Sequence, residues 1–220
     1  MEYKYSIFGD FNSIHSDIGS VNAKFGSNYK REMSNSLVQI ANQTSRAVVP
    51  IYSFVEQEKK EVVTISPSRI DFVFQKNEMY SEFKRYYCLI KDILPDYLNR
   101  LAINITGSKK DTSLLLLKKV SEKTGLLLND FDTSELYLRK NQTKVIDKKP
   151  INNIISVQNG KIKASDEFVL VPGIVYSIDL NTAIRIGIPP LINKNEALAF
   201  FEKLEDVVTD DLKIIDEFLE

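Results

Sequence analysis

Imidazole and thiol chemistry each depend on a single side chain in this chain of 220 residues. His15 lies two residues before Asp17, and a nearby carboxylate can orient an imidazole ring for acid–base work. The segment around it is polar and carries no turn motif that marks a nucleophile, so a surface histidine in a polar loop is the favoured interpretation. Cys88 follows two tyrosines in a predicted helix, where thiols are usually buried and inert. Neither residue is predicted to be catalytic.

Two sets of side chains contain the acids and the lysine that a metal-dependent nuclease site requires. They are Asp71 with Gln75 and Lys76, and Asp130, Asp132 and Glu135 with Lys140. In the first set the amide of Gln75 stands where a further carboxylate would help to hold a divalent metal. Strand alternation places Asp71 on the exposed face of its strand, which explains this acid without a metal. A metal-dependent enzyme is therefore an alternative in which the carboxylates converge only in the folded chain.

Residues 105–113, ITGSKKDTS, follow a predicted strand and precede a predicted helix, which is the context of a phosphate-binding loop. The motif is incomplete, because its first glycine is missing and Lys109 is not followed by serine or threonine. We interpret residues 107–111 as a polar loop before a helix capped by Asp111 or Thr112. No cofactor is predicted.

The candidate nucleic-acid surface is a basic and aromatic segment around the start of the helix predicted over residues 29–45. Cationic side chains would neutralise phosphates, and aromatic rings could stack on unpaired bases. The residues are Lys24, Tyr29, Lys30 and Arg31, with Phe25 beside them and Arg46 as a further cation. The two rings would serve equally well to anchor the helix, so a nucleic-acid-binding module is an alternative function and not the leading one.

Acidic residues concentrate at the end of the chain. Residues 196–220 contain nine carboxylates and two lysines, a net charge of −7, whereas residues 1–195 contain 27 cations and 21 carboxylates, a net charge of +6. An acidic amphipathic helical end can cover the protein's own sheet or face a basic partner surface. The predicted partner-binding residues are Glu202, Glu205, Asp206, Asp210 and Asp211.

The composition is that of an ordinary soluble globular protein, with 43% hydrophobic and 27% charged residues. A net charge of −1 and a pI near 6.0 remove the argument from overall charge for nucleic acid or an anionic membrane as an obligatory partner, so only a local patch could support such a partner. The single cysteine cannot form an internal disulfide, which favours a reducing compartment and predicts a cytoplasmic protein. No stretch approaches the about 18 apolar residues of a membrane span, and the N-terminus does not read as a secretory signal.

The elements that would position these groups centre on residues 61–106, where strand, turn, strand, helix and strand are predicted in succession. Ile70, Phe72 and Phe74 fall on one face of the second strand, the period-2 pattern of a half-buried strand. The following helix, residues 80–94, has an apolar stripe that can cover that face. This stretch is therefore predicted to build the core.

Elements elsewhere are predicted from periodicity and turn residues. Strands are predicted over residues 3–11, 48–55, 61–65, 135–138, 144–146, 154–157, 161–164 and 167–178, and helices over residues 29–45 and 112–124. Asn159-Gly160 predicts a tight hairpin turn, and Pro172-Gly173 predicts an interruption of the last strand. Two C-terminal helices are predicted, the second capped by Thr209.

Together these elements predict an α+β fold with mixed or antiparallel sheets and helices packed on one side. The strand-then-helix order of residues 1–125 recurs in residues 126–220, which would form two similar halves or one continuous domain. The layout of the strands over residues 48–75, the helix over 83–94, the strand NRLAIN at 99–104 and the C-terminal half resembles a group of uncharacterised bacterial proteins of duplicated α+β build, over most of the chain. The resemblance implies this fold class and no activity.

The leading functional prediction is a non-enzymatic protein-binding regulator or inhibitor. It rests on the lack of a complete catalytic or cofactor motif in the sequence and on the acidic helical end. The expected partner is another protein with a basic surface, and the sequence does not determine the oligomeric state. Frequent Lys, Asn and Ile suit an AT-rich coding sequence, so a bacterial or phage conflict system is the candidate setting.

Overall fold

The computed structural model describes residues 1–27, 29–39, 46–56, 58–75, 80–110, 115–124, 136–163, 170–183 and 191–219. Strands contain 51% of these residues and helices contain 33%. Nine strands form one large antiparallel sheet, so the sheet dominates the architecture. The predicted balanced α+β fold with two similar strand-then-helix halves is therefore wrong.

The large sheet combines strands from the whole length of the chain. In chain order the strands are β1 (Glu2–Phe8), β2 (Lys30–Gln39), β3 (Arg46–Glu56), β4 (Glu61–Ile65), β5 (Arg69–Phe74), β6 (Tyr97–Leu98), β7 (Arg100–Lys110), β8 (Tyr137–Ile146), β9 (Lys149–Lys163), β10 (Leu170–Thr182) and β11 (Ile192–Asn193). The helices are α1 (Asn12–Ser16), α2 (Ile18–Phe25), α3 (Tyr80–Ile90), α4 (Leu115–Thr124) and α5 (Ala197–Leu219), and a 3₁₀ turn over Lys91–Ile93 follows α3. The sheet order is β2-β3-β4-β5-β1-β7-β10-β9-β8, and β6 pairs separately with β11. Strands from both sides of residue 125 meet where β7 pairs with β10, and a domain division at that residue stays a prediction.

One face of the sheet is covered by α3 and α5. Tyr5 and Phe72 are partners across β1 and β5, lie on this face and are fully buried. The Tyr5 ring stacks on Phe83 of α3 with centroids 4.3 Å apart, and Phe83 meets Phe201 of α5 at 4.6 Å. Large aromatic side chains bury much apolar area, so this cluster is a main source of stability. The core role predicted for residues 61–106 is confirmed.

α5 is one continuous helix of 23 residues, so the predicted break at Thr209 is wrong. Thr209 Oγ1 donates a 3.0 Å hydrogen bond to the backbone oxygen of Glu205, four residues earlier, as a threonine inside a helix can do. The apolar stripe continues through this point, because Leu204, Val208 and Ile215 are all buried. Packing of that stripe on the sheet therefore outweighs the local capping signal.

The predicted helix over residues 29–45 is also wrong. Residues 30–39 form β2, which pairs with β3 along all ten of its residues. The helical spacing of Met33 and Leu37 is only a weak local preference, and a nonlocal ladder of this length overrides it. Residues 40–45 of the predicted helix lie outside the described residues. The predicted β3–β4 hairpin is confirmed, since Glu56 pairs with Glu61 at its tip.

A tight turn lies at Asp147-Lys148, whereas the hairpin predicted at Asn159-Gly160 is wrong, because both residues lie inside β9. Asp147 and Lys148 have φ values of 48° and 63°, the positive values that a two-residue mirror-image turn requires. Gly160 instead lies inside β9 and pairs with Gly173 of β10. β10 also runs uninterrupted through Pro172, which pairs with Lys161 of β9 and lies just outside the described pairs between β10 and β7.

Candidate binding surfaces

The face of the sheet opposite to α3 and α5 carries a row of mostly small polar side chains across all nine strands. The row consists of Glu32, Ser53, Thr64, Asp71, Ser6, Ala102, Asn181, Asn152 and Thr143. Several neighbours are hydrogen-bonded, including Ser6 to Asp71 and Asn152 to Asn181. An antiparallel sheet with one apolar and one polar face has this alternation. Asp71, Ser6, Ala102 and Asn181 in the middle of the row are buried, and only Glu32 and Thr143 at its two ends are exposed.

Asp71, the acid of the first predicted metal set, is buried in this row instead of solvated. Its carboxylate accepts a 2.5 Å hydrogen bond from Ser6 Oγ and lies 2.8 Å from Arg69 Nε. These contacts balance the charge within the protein. Gln75 is exposed at the end of β5, and Lys76 lies outside the described residues. Among the described residues, no three His, Cys, Asp or Glu side chains are grouped so that they could hold a metal ion.

The second metal set and the phosphate-loop candidate fall partly outside the described residues. Asp130, Asp132 and Glu135 are not among them, and Lys140 is exposed on β8. The loop predicted over residues 107–111 is wrong as far as it is described, because Gly107 to Lys110 continue β7 and pair with β10. Gly107 lies where the Tyr176 ring packs against the strand, so its glycine serves close packing. The candidate caps, Asp111 and Thr112, lie outside the described residues.

His15 is half-buried and joins α1 to β3. Its Nε2 atom lies 2.7 Å from the backbone oxygen of Pro50, and its ring lies 5.0 Å from that of Tyr52. Asp17 does not orient the imidazole, since its carboxylate accepts a 2.5 Å hydrogen bond from Ser20 Oγ. These contacts assign His15 a packing role between two elements.

Cys88 is exposed, so the predicted burial of its thiol is wrong. The buried side of α3 is formed by Phe83, Tyr86, Tyr87 and Ile90. Each residue turns a helix by about 100°, and Cys88 therefore faces outward although Tyr87 beside it is buried. A residue's neighbours in sequence are a poor guide to its side of a helix.

The aromatic residues of the basic segment pack inward. Phe25 is buried and stacks on Phe54 of β3 with centroids 4.7 Å apart. The Tyr29 hydroxyl is hydrogen-bonded to that of Tyr86, and Tyr86 in turn donates to the buried carboxylate of Glu61. Burial, together with these bonds, raises the pKa of Tyr86 well above its ordinary value. These rings belong to the core and are not free to stack on bases.

The cations of the same segment do not share one face. Lys24 is half-buried on α2, whereas Lys30 and Arg31 are exposed neighbours on β2 and so point to opposite faces of the sheet. Lys30 also forms a 3.0 Å ion pair with Glu32. Arg46 is the first residue of β3. The nucleic-acid interface predicted from these residues stays a prediction.

Two of the five acids predicted to bind a partner face the sheet. Glu205 Oε1 accepts a 2.6 Å hydrogen bond from the hydroxyl of Tyr5. Burial raises the pKa of Glu205, the bond from Tyr5 opposes that rise, and the charge of Asp206 adds to it. Asp211 is only 2% exposed and accepts a 2.8 Å hydrogen bond from Asn153 Nδ2. Both acids therefore hold α5 on the sheet.

The other three acids are exposed and lie in one line along α5. Glu202, Asp206 and Asp210 are spaced by four residues, which puts them on neighbouring turns of one helix face. Ile214 and Glu217 continue the line, and Ile214 is 48% exposed. We call Glu202, Asp206, Asp210 and Glu217 the α5 acidic stripe. Within this surface the Lys213 Nζ atom lies 4.0 Å from Asp210.

The sequence analysis did not identify the contact between Asn153 and Asp211, which distinguishes an acid that faces the sheet from those that face outward. Asn153 stands at a buried position of β9, between Ile151 and Ile155, where strand alternation calls for an apolar residue. Asp211 likewise occupies a position of the apolar stripe of α5, between Val208 and Ile215. A polar residue in an apolar repeat is the signal that could have identified both as partners.

The chain matches no protein-family model, and comparisons with curated proteins and with solved structures give no match. Of the helices that the structure describes, none has the length and apolar content needed to cross a membrane. The cytoplasmic location stays a prediction.

Proposed function

We propose that this protein is a non-enzymatic binding protein, a regulator or inhibitor, whose α5 acidic stripe docks on a basic surface of another protein. The division of the acids on α5 carries the proposal: Glu205 and Asp211 face the sheet, whereas the stripe faces outward. A helix fixed on a nine-stranded sheet presents its charges in a set geometry, which lowers the entropic cost of binding. Complementary charge also steers association and selects the partner.

Ile214 adds an apolar contact to this surface. It lies between Asp210 and Glu217 along the stripe and is 48% exposed. An apolar centre with a charged rim is the usual arrangement of a protein–protein interface. A bacterial or phage conflict system remains the proposed setting, and the supporting observation is the Lys-, Asn- and Ile-rich composition.

The test uses the whole chain as bait in the native host, followed by chemical cross-linking and affinity capture. The stripe variant is Glu202→Lys/Asp206→Lys/Asp210→Lys. The matched control, Glu58→Lys/Asp92→Lys/Glu122→Lys, makes the same change at three exposed acids elsewhere. We expect a protein that the wild type and the control capture, that the stripe variant loses, and that added salt releases.

Three outcomes would contradict the proposal. The stripe variant could retain every captured protein while folding normally, or the bait could recover only nucleic acid. The third is turnover of a small molecule that does not depend on the stripe. The nucleic-acid alternative receives less support than the stripe, because Phe25 and Tyr29 pack inward.

A further inference from the structure

A second surface, independent of the α5 acidic stripe, lies at one edge of the sheet. β8 pairs with β9 on one side, and among the described strands none pairs with its other side. Its ten residues span about 33 Å at the usual rise per residue. An unpaired strand of this length offers a row of backbone donors and acceptors to an incoming strand.

The hydrogen-bonding pattern shows which residues of β8 point outward. Asn159 N–H donates to the backbone oxygen of Leu136, so even-numbered residues here exchange bonds with β9. On the other side of β9, Ala183 N–H donates to the oxygen of Pro150, as the same alternation requires. The odd-numbered residues therefore direct their N–H and C=O groups away from β9. They are Tyr137, Arg139, Asn141, Thr143 and Val145.

These outward residues are also exposed through their side chains. Tyr137 is 52% exposed and Val145 is 70% exposed, and the three residues between them in the outward set are exposed as well. No described residue therefore covers this edge. Addition of a strand to such an edge is a recognised mode of peptide binding, in which the backbone provides affinity and the side chains provide specificity.

The charge of the edge identifies its partner. Residues 137–149 contain five cations and one acid. Lys144 lies 3.4 Å from Asp211, and Lys203 pairs with Asp147, the single acid. Arg139 and Lys140 are exposed and form no ion pair with a described carboxylate. The edge is therefore cationic on both faces of the sheet, because neighbouring residues of a strand point to opposite faces.

A second copy of this chain does not fit the edge. Pairing β8 with the β8 of a second copy would join two strands that each carry three cations and no acid, so the like charges of the two strands would repel. The other edge of the sheet, β2, carries Lys30 and Arg31 with Glu32 and is not acidic either. We propose that β8 receives an extended acidic segment of another protein, which adds a strand through the five outward residues and places its carboxylates beside Arg139 and Lys140.

The experiment measures binding of a fluorescein-labelled peptide of four Val-Glu-Thr repeats to the whole protein by anisotropy. A peptide with lysine in place of each glutamate and a dT oligonucleotide of equal length serve as comparisons. We expect the glutamate peptide to bind at least about tenfold more tightly than the lysine peptide, and salt to weaken it. The amides of Asn141 and Thr143 should become protected from hydrogen exchange when it binds.

Two variants separate strand addition from simple charge attraction. Asn141→Pro removes an outward N–H and leaves the bonds to β9, so it should weaken binding at least about tenfold without unfolding the protein. Arg139→Gln/Lys140→Gln should also weaken binding, whereas Lys30→Gln/Arg31→Gln on β2 should not. Thr143→Pro is the second proline variant if Asn141→Pro does not fold.

Several results would overturn the inference. They are unchanged binding by a folded proline variant, equal binding of the lysine peptide, displacement of the glutamate peptide by the dT oligonucleotide at equal concentration, and no binding at millimolar peptide.

Discussion

Asn153 Nδ2 donates a 2.8 Å hydrogen bond to Asp211 Oδ2 and so joins the middle of β9 to the middle of α5. Both side chains are almost completely buried, at 1% and 2% exposure. A buried carboxylate is stable only when its charge is balanced and hydrogen-bonded, and Lys144 provides the charge from the edge of the sheet. The acidity of α5 is therefore partly structural.

Asp211→Ala should destabilise the protein by about 2–4 kcal/mol, because it leaves the Asn153 amide buried without its acceptor. Asn153→Ala should cost a similar amount, and the double variant should cost less than the sum, since both remove one interaction. Urea denaturation measures all three. Asp210→Ala, an exposed neighbour on the same helix, should change stability by less than about 0.5 kcal/mol. Full additivity would contradict the coupling.

Glu205 should make stability depend on pH. Burial raises its pKa above the ordinary value of 4.5, so the folded state binds this proton more tightly than the unfolded state. The stability that the protonated Glu205 carboxyl contributes is fully present at pH values below 4.5, and it is lost as the pH rises through the pKa of Glu205 in the folded protein. Glu205→Gln should therefore gain stability relative to wild type across this window, as followed by thermal unfolding between acid and neutral pH. Glu202→Gln, at an exposed position, is the control, and parallel curves for wild type and Glu205→Gln would contradict the assignment.

Two glycines should respond oppositely to the same substitution. Gly107→Ala should destabilise the protein by about 1–3 kcal/mol, because a Cβ atom would collide with the Tyr176 ring. Gly160→Ala should be neutral or stabilising by up to about 1 kcal/mol. An added Cβ atom would have no atom within 4 Å apart from its chain neighbours, and a strand interior favours alanine over glycine. Chemical denaturation of both variants checks the pair. A large loss for Gly160→Ala would favour a turn at that residue.

The single thiol should be reactive in the folded protein. Cys88 is exposed on α3, so one equivalent of a disulfide reagent such as DTNB should label it without denaturant. Cys88→Ala should abolish labelling and change stability by less than about 0.5 kcal/mol. Labelling that requires denaturant would contradict the exposed position.

Sequence reasoning succeeded where a pattern depends on neighbours along the chain. The alternation of Ile70, Phe72 and Phe74 predicted a half-buried strand, and the spacing in α3 predicted its cover, because strand and helix periodicities are local properties of the backbone. The β3–β4 hairpin was predictable for the same reason. The acidic end was visible as composition, although not as two groups of acids with different contacts.

The sequence by itself determined the apolar faces of the central strands and helices and the concentration of acids at the end of the chain. Only the tertiary structure decided that residues 30–39 form a strand, because backbone pairing with β3 along this whole segment takes the place of the predicted helix. The tertiary structure also decided that Asp211 holds α5 on the sheet, because the Asn153 amide that donates a hydrogen bond to it lies 58 residues away in sequence. Such pairings are contacts between distant segments, and no local periodicity records which segments meet.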